Sequence, residues 1–84
     1  MARLKFGFIP IEGGHYYADA LAEVARAEDL GFDSVWMEEH HSVVDHYWPS
    51  PLPVLAGFAT RTSKMILGTD ILVAHFYHPT RLAE

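Results

Sequence analysis

The sequence has no cysteine, no cluster of basic residues, no long apolar run and no glycine-rich dinucleotide fingerprint. Without cysteine there is neither a disulfide staple nor a thiolate metal site. Six Lys and Arg stand against eleven Asp and Glu, for a net charge of −5. Nucleic acid, which needs a positive footprint, is therefore not an expected partner. No apolar run approaches the roughly 20 residues of a membrane span. Met1 to Ile9, with Arg3 and Lys5, also lacks the long apolar core of a signal peptide. No membrane partner is expected, and a cytoplasmic location is the default. At 84 residues the chain is at most one small domain, and being half apolar it is not expected to be disordered.

What is present alternates. Leu4 to Ile9 is short, aromatic and followed by Pro10, which predicts a first strand. Gly7 within it implies tight packing or close approach of another backbone. Ile11 to Gly14 forms a loop, with Gly14 or His15 at the start of a helix. From Tyr16 to Leu30 the residues Tyr17, Ala20, Leu21, Val24 and Ala27 recur at three- and four-residue steps, the signature of an amphipathic helix. Gly31 ends it cheaply, with Phe32 folding back onto the last turn. Ser34 to Met37 make a second strand.

Ser50 then suits an N-cap, with Pro51 at the first helical position. Leu52, Leu55, Ala56 and Ala59 form the expected stripe of this second helix. Met65 to Leu72 is the third strand, containing Gly68 and an acid, Asp70. Pro79 opens a third helix that has run barely a turn by Glu84.

Strand, helix, strand, helix, strand and start of helix predict an α/β fold with parallel strands and right-handed crossovers. Gly13-Gly14 does not supply G-x-G-x-x-G, which disfavours the open dinucleotide-binding sheet. The expectation is the N-terminal part of a TIM (β/α)8 barrel. Such a barrel needs about 250 residues, so residues 1–84 would be a single partial domain, truncated at the C-terminus.

All six histidines fall where strands hand over to helices: His15, then His40, His41 and His46, then His75 and His78. In a parallel α/β fold these loops share the face that carries active sites. His40 is either a core histidine satisfied by a carbonyl or a neutral imidazole able to exchange a proton near neutrality. Neighbours on a strand point to opposite sides, so one of His40 and His41 faces the mouth while the other packs outward. Glu39 is either a solvated acid or a helix-end partner, or, beside His40, a group that fixes a tautomer or contacts a polar ring edge. Glu38 is read as structural. Asp70 either pairs with a buried donor or sits at the cleft, and the cleft is favoured because an unpaired buried carboxylate is costly. Tyr47, Trp48, Phe76 and Tyr77 are loop packing, or an apolar wall for a flat ring. His15 and His46 are read as surface residues. A metal held by His40, His41 and His78 with Glu39 or Asp70 is disfavoured, because no helical His-x-x-x-His or His-x-Glu spacing is present.

Four stretches together are similar to one family. Gly31-Phe32-Asp33-Ser34-Val35-Trp36, Glu39-His40-His41, Leu67-Gly68-Thr69 and His78-Pro79-Thr80-Arg81-Leu82-Ala83-Glu84 resemble the luciferase-like monooxygenases, in that family's order and spacing. The resemblance implies a flavin enzyme on a TIM barrel, using reduced FMN and O2 to oxygenate a small organic substrate. A related branch uses the deazaflavin coenzyme F420 for hydride transfer. It implies His40 as catalytic acid or base and Glu39 as the acid near the ring. His41, Asp70 and Ile71 are then the cofactor contacts, with a non-prolyl cis bond at Asp70–Ile71 against the isoalloxazine. It further implies a separate NAD(P)H-dependent flavin reductase as partner and leaves a homo-oligomer open. The alternative from another class is a non-catalytic module that pairs through its open sheet edges.

Overall fold

The computed structural model describes residues 2–44 and 47–84, so His46 lies outside the described residues. Three strands, β1 (Gly7–Phe8), β2 (Ser34–Met37) and β3 (Ile66–Thr69), form one parallel sheet in the order β1-β2-β3. Between them run α1 (Tyr17–Asp29) and α2 (Pro51–Ala59). A short helix α3 (Pro79–Ala83) follows, and 3-10 turns occupy Gly14–Tyr16 and Ala74–Phe76. Three adjacent parallel strands in sequence order, joined by helices, are the opening of a (β/α)8 barrel.

Helix α1 forms where its apolar period predicted, and it buries Ala20, Val24 and Ala27. It ends on Gly31 at φ 93°, a left-handed conformation that glycine adopts without a Cβ penalty. The Gly31 N–H donates to Glu28 O and the Phe32 N–H to Ala27 O, both at 3.0 Å, completing a Schellman cap. Phe32 then lies edge-on against Phe8, with ring centroids 5.5 Å apart.

Strand β2 sits in the middle and has the expected bounds. In register, Val35 stands beside Phe8 and Leu67, and Trp36 beside Gly68. Val35 and Met37 point into the helix layer and are fully buried, whereas Trp36 on the other face is 38% exposed. The core beneath the helices gathers Val24, Val35, Met37, Trp48, Leu55, Phe58 and Met65. Each such large side chain contributes about 1.5–3 kcal/mol by leaving water.

Three expectations need correction. The first strand is two residues long rather than Leu4 to Ile9, because Leu4 to Phe6 lie beside the turn into β2 and have no strand to pair with. Phe6 is instead tied to Asp33, its N–H donating to Oδ2 and its carbonyl accepting from Asp33 N, both at 2.7 Å. The third strand stops at Thr69, so Asp70 lies past its end rather than inside it, although Asp70 N still donates to Met37 O at 2.8 Å. The buried face of α2 is Pro51, Leu55 and Phe58, not the stripe of Leu52, Leu55, Ala56 and Ala59. Phe58 sets the phase, since its ring stacks on Tyr17 of α1 with centroids 6.3 Å apart and planes 2° from parallel. Ser50 holds the N-cap position, but its hydroxyl makes no capping bond.

At the amino ends of the strands two acids fasten the layers. Glu28 accepts from the backbone N–H groups of Ser63, Lys64 and Met65, and Asp33 accepts from Phe6 N and Arg3. The bond from Lys64 foremost holds Glu28 below the ordinary carboxylate range, and the Arg3 guanidinium does the same for Asp33. The partners of neither acid are legible from sequence, because they lie 27 or more residues away.

Candidate functional site

Past Met37 the chain stays extended, and its side chains pair two residues apart on opposite sides. Glu38 Oε2 lies 3.3 Å from His40 Nε2, and Glu39 Oε2 lies 3.1 Å from His41 Nε2. Glu39 is buried with none of its side chain exposed, whereas Glu38, His40 and His41 are partly open, at 33%, 45% and 42%.

Three donors converge on Glu39. Tyr77 OH donates to Oε1 at 2.7 Å, while Val73 N at 3.2 Å and His41 meet Oε2. Burial alone would raise this carboxyl, but the bonds from Tyr77, His41 and Val73 outweigh it and hold it below its ordinary value. In return the Tyr77 phenol is pushed up to about 12, first by its bond to Glu39 and then by burial.

His40 is held from three directions. Glu38 takes one ring nitrogen, Tyr47 packs edge-on with centroids 5.0 Å apart, and the His40 N–H donates to Trp48 O at 3.1 Å. Trp48 has a left-handed backbone at φ 37°, unusual for a bulky residue. Its indole is buried and donates to Pro10 O at 3.0 Å, and Tyr47 OH reaches the same carbonyl at 3.3 Å. These two aromatics are thus loop anchors rather than the wall of a ring site.

On the open face a cleft of about 460 Å³ is lined by Gly7, Phe8, Ile9, Trp36, Thr69 and Asp70. Its floor is the Trp36 indole, whose Nε1 donates to Ser34 Oγ at 2.9 Å. A Cβ at Gly68 would overlap the six-membered ring of Trp36, and one at Gly7 would come within 3.0 Å of its Nε1. The two glycines flank an indole lying flat on the sheet. Of the two readings of Gly7, tight packing holds, and the neighbours are this side chain and Ser34 Oγ. Two in-strand glycines with a tryptophan in register between them were the signal for this floor.

Of the residues read from sequence, Asp70 lines the cleft and the Asp70–Ile71 peptide bond is cis. Ile71 follows with 75% of its surface exposed. His40 is not among the residues that line the cleft; it stands half-exposed against Tyr47, while Glu39 is buried and His41, 42% exposed, packs against Phe76 with centroids 4.8 Å apart. His78 Nδ1 accepts from Thr80 N at 3.2 Å and caps α3. His15 and His75 are exposed in the other two loops. Tyr77 as the partner of Glu39 was not anticipated. Among the described residues no three His, Cys, Asp or Glu side chains gather as a metal site, and no helix is long and apolar enough to cross a membrane.

Known proteins are similar to this chain in sequence and in fold. An F420-dependent glucose-6-phosphate dehydrogenase of Microbacterium testaceum is 39% identical over 62 residues, covering 69% of this chain and 18% of that protein. The oxygenase component of a flavin-dependent trigonelline monooxygenase from Acinetobacter baylyi is 35% identical over 66 residues, covering 77% and 18%. The chain thus spans about a fifth of the length of these relatives. In fold it is similar to the oxygenating constituent of 3,6-diketocamphane monooxygenase from Pseudomonas putida, a type II Baeyer-Villiger monooxygenase solved with FMN. The TM-score is 0.82 at 23% identity, over 96% of this chain and 24% of that one. The sequence pattern described as luciferase-like monooxygenase matches residues 6–84, and the chain belongs to that family.

Proposed function

We propose that this chain forms part of the cofactor mouth of a flavin-dependent monooxygenase, which uses reduced FMN and O2 to oxygenate a small organic substrate. The cleft over Trp36 carries the reading. It lies on the open face at the carboxyl ends of parallel strands, where barrel enzymes place their chemistry. Its volume is that of a small-molecule site, and its floor is a flat aromatic surface suited to a flat ring. The lining has no Lys or Arg, so it fits the ring of a flavin rather than its phosphate. Bound there, reduced FMN would supply electrons to O2. The residues of this chain would seat the ring on Trp36 and beside Asp70 and Ile71, and move a proton at His40, which Glu38 and Tyr47 hold in place. Glu39 and His41 would support that wall from behind. The trigonelline relative, named an oxygenase component, supports a separate NAD(P)H-dependent reductase as the source of reduced FMN.

A second reading is hydride transfer with F420, favoured by the 39% identity to the glucose-6-phosphate dehydrogenase. Equilibrium titration of the intact protein with reduced FMN and reduced F420, each followed by O2 uptake, separates the two. Tighter binding of FMN with O2 consumption is expected. Tighter binding of F420 without O2 uptake would overturn the monooxygenase reading and carry the second.

A further inference from the structure

We propose that Glu39 is a positioning residue whose buried carboxylate latches the loop after β3 to the end of β2, and so fixes the Asp70 wall of the cofactor cleft. The ligand in this proposal rests on the flavin reading; the latch itself does not.

Both oxygens of the carboxylate are engaged. Oε1 takes the Tyr77 hydroxyl, and Oε2 takes Val73 N and His41 Nε2. None of its side chain is exposed, and it is not among the residues that line the cleft. A group so placed does not meet a ligand in the cleft. Its donors are informative, because Val73 and Tyr77 bracket the 3-10 turn Ala74–Phe76. Phe76 in that turn packs on the ring of His41, the third donor. One carboxylate therefore closes a circuit through both loops.

The exit from β3 is then held at two points. Asp70 N is fixed on Met37 O, and Val73 N on Glu39, with only Ile71 and Leu72 between them. Without the second point, the segment that carries Asp70 and Ile71 would hang from the sheet by one bond. A buried charge taking three bonds also makes this a strong tie, since bonds to ionised groups exceed neutral ones about two-fold.

The test compares Glu39→Gln, Glu39→Ala and Tyr77→Phe in the intact protein by amide exchange at Val73, flavin affinity and turnover. Glutamine keeps the planar shape, and its amide can donate to the Tyr77 oxygen. Val73 exchange and flavin affinity should stay within about five-fold and turnover within roughly ten-fold. Alanine should speed Val73 exchange by roughly a hundred-fold and weaken flavin binding about ten-fold or more, as expected for losing charge-assisted bonds. Tyr77→Phe removes one hydroxyl and leaves the packing, so it reports even if the alanine variant fails to fold. It should speed Val73 exchange about ten-fold. Unchanged exchange in Tyr77→Phe would overturn the latch. Abolished turnover in Glu39→Gln with Val73 still protected would overturn it differently, by showing that Glu39 handles a proton. Val73 exchange is read without any flavin. A wild type that binds neither cofactor would therefore sink the flavin reading and leave the latch to be judged on exchange alone.

Discussion

The six-membered ring of Trp36 lies on Gly68 so closely that no side chain fits between indole and strand. The two residues are register partners in β2 and β3, so the contact follows from the pairing itself. Gly68→Ala should push the indole off the sheet and into the cleft. Its stability cost is expected at the lower end of the ~1–3 kcal/mol for overpacking, because a partly exposed ring can swing away. The larger effect should be on the ligand, with flavin affinity falling roughly ten-fold or more, a loss of about 1.4 kcal/mol. Tryptophan fluorescence checks the cause, since Trp48 is buried and any red shift on mutation reports Trp36. An unshifted spectrum with full affinity would show that the indole is not the floor of the ring site.

His40→Ala tests the proton role separately from binding. The imidazole rests on Glu38 and Tyr47 and is itself 45% exposed, so its removal should leave the fold intact. Turnover should fall on the order of 10²–10⁴-fold, the usual contribution of a placed general acid or base. Flavin affinity should change only a few-fold. Near-normal turnover would remove His40 from the chemistry.

Stability should peak on the acid side of neutrality, because two sets of carboxyls pull in opposite directions. Glu28, Asp33 and Glu39 are held below their ordinary values in the folded chain. Their contribution is present above the unfolded value of about 4 and is lost as pH falls through the lower folded values. Glu23 behaves oppositely. Its hydrogen bond with Glu12, then burial and the repulsion between the two, raise it from 4.5 to about 7. Oε2 of Glu12 is itself buried with no partner among the described residues. A raised carboxyl stabilises fully below its unfolded value, and that stability is lost as pH rises through 7. Thermal unfolding across pH 3–9 should therefore show a maximum near about pH 5. Glu23→Gln should flatten the neutral side only, and Glu28→Gln the acid side only. A profile flat from pH 5 to 8 in the parent would contradict the Glu12–Glu23 pair.

What the sequence made legible, and what it hid, follows from how local each signal is. Strand β2 has the bounds expected because it is central and paired on both sides, whereas β1, on the edge, keeps only the two residues that β2 can reach. Helix α1 shows its face through alanine and valine at helical steps. Helix α2 hid its face, since the weight of Phe58 is visible only once Tyr17 is placed opposite it. The histidines point to the right end of the sheet but do not say which of them lie on the open side. The structure tells them apart by partner, Glu38 with His40 and the buried Glu39 with His41. The partnership of Glu39 with Tyr77 spans 38 residues and has no periodic trace. The cis bond at Asp70–Ile71 came from resemblance, not from any property of those two residues.

The packing of α1 on α2 offers a test that owes nothing to ligands. At Gly57 a Cβ would overlap the Tyr17 hydroxyl and come within 3.0 Å of its Cζ. Gly57→Ala sets two effects against each other. Alanine gains up to about 1 kcal/mol of helix propensity over glycine, and the overlap costs ~1–3 kcal/mol. The overlap should win, because the ring of Tyr17 is stacked on Phe58 and cannot simply turn away. Net destabilisation of about 1–2 kcal/mol is expected in urea unfolding. Removing the hydroxyl removes most of the conflict, so Tyr17→Phe with Gly57→Ala should recover the greater part of the loss. The two changes are then non-additive, as expected for residues in contact. Strict additivity, or a Gly57→Ala variant as stable as the parent, would show that the α1–α2 spacing yields and that the Tyr17–Phe58 stack does not fix it.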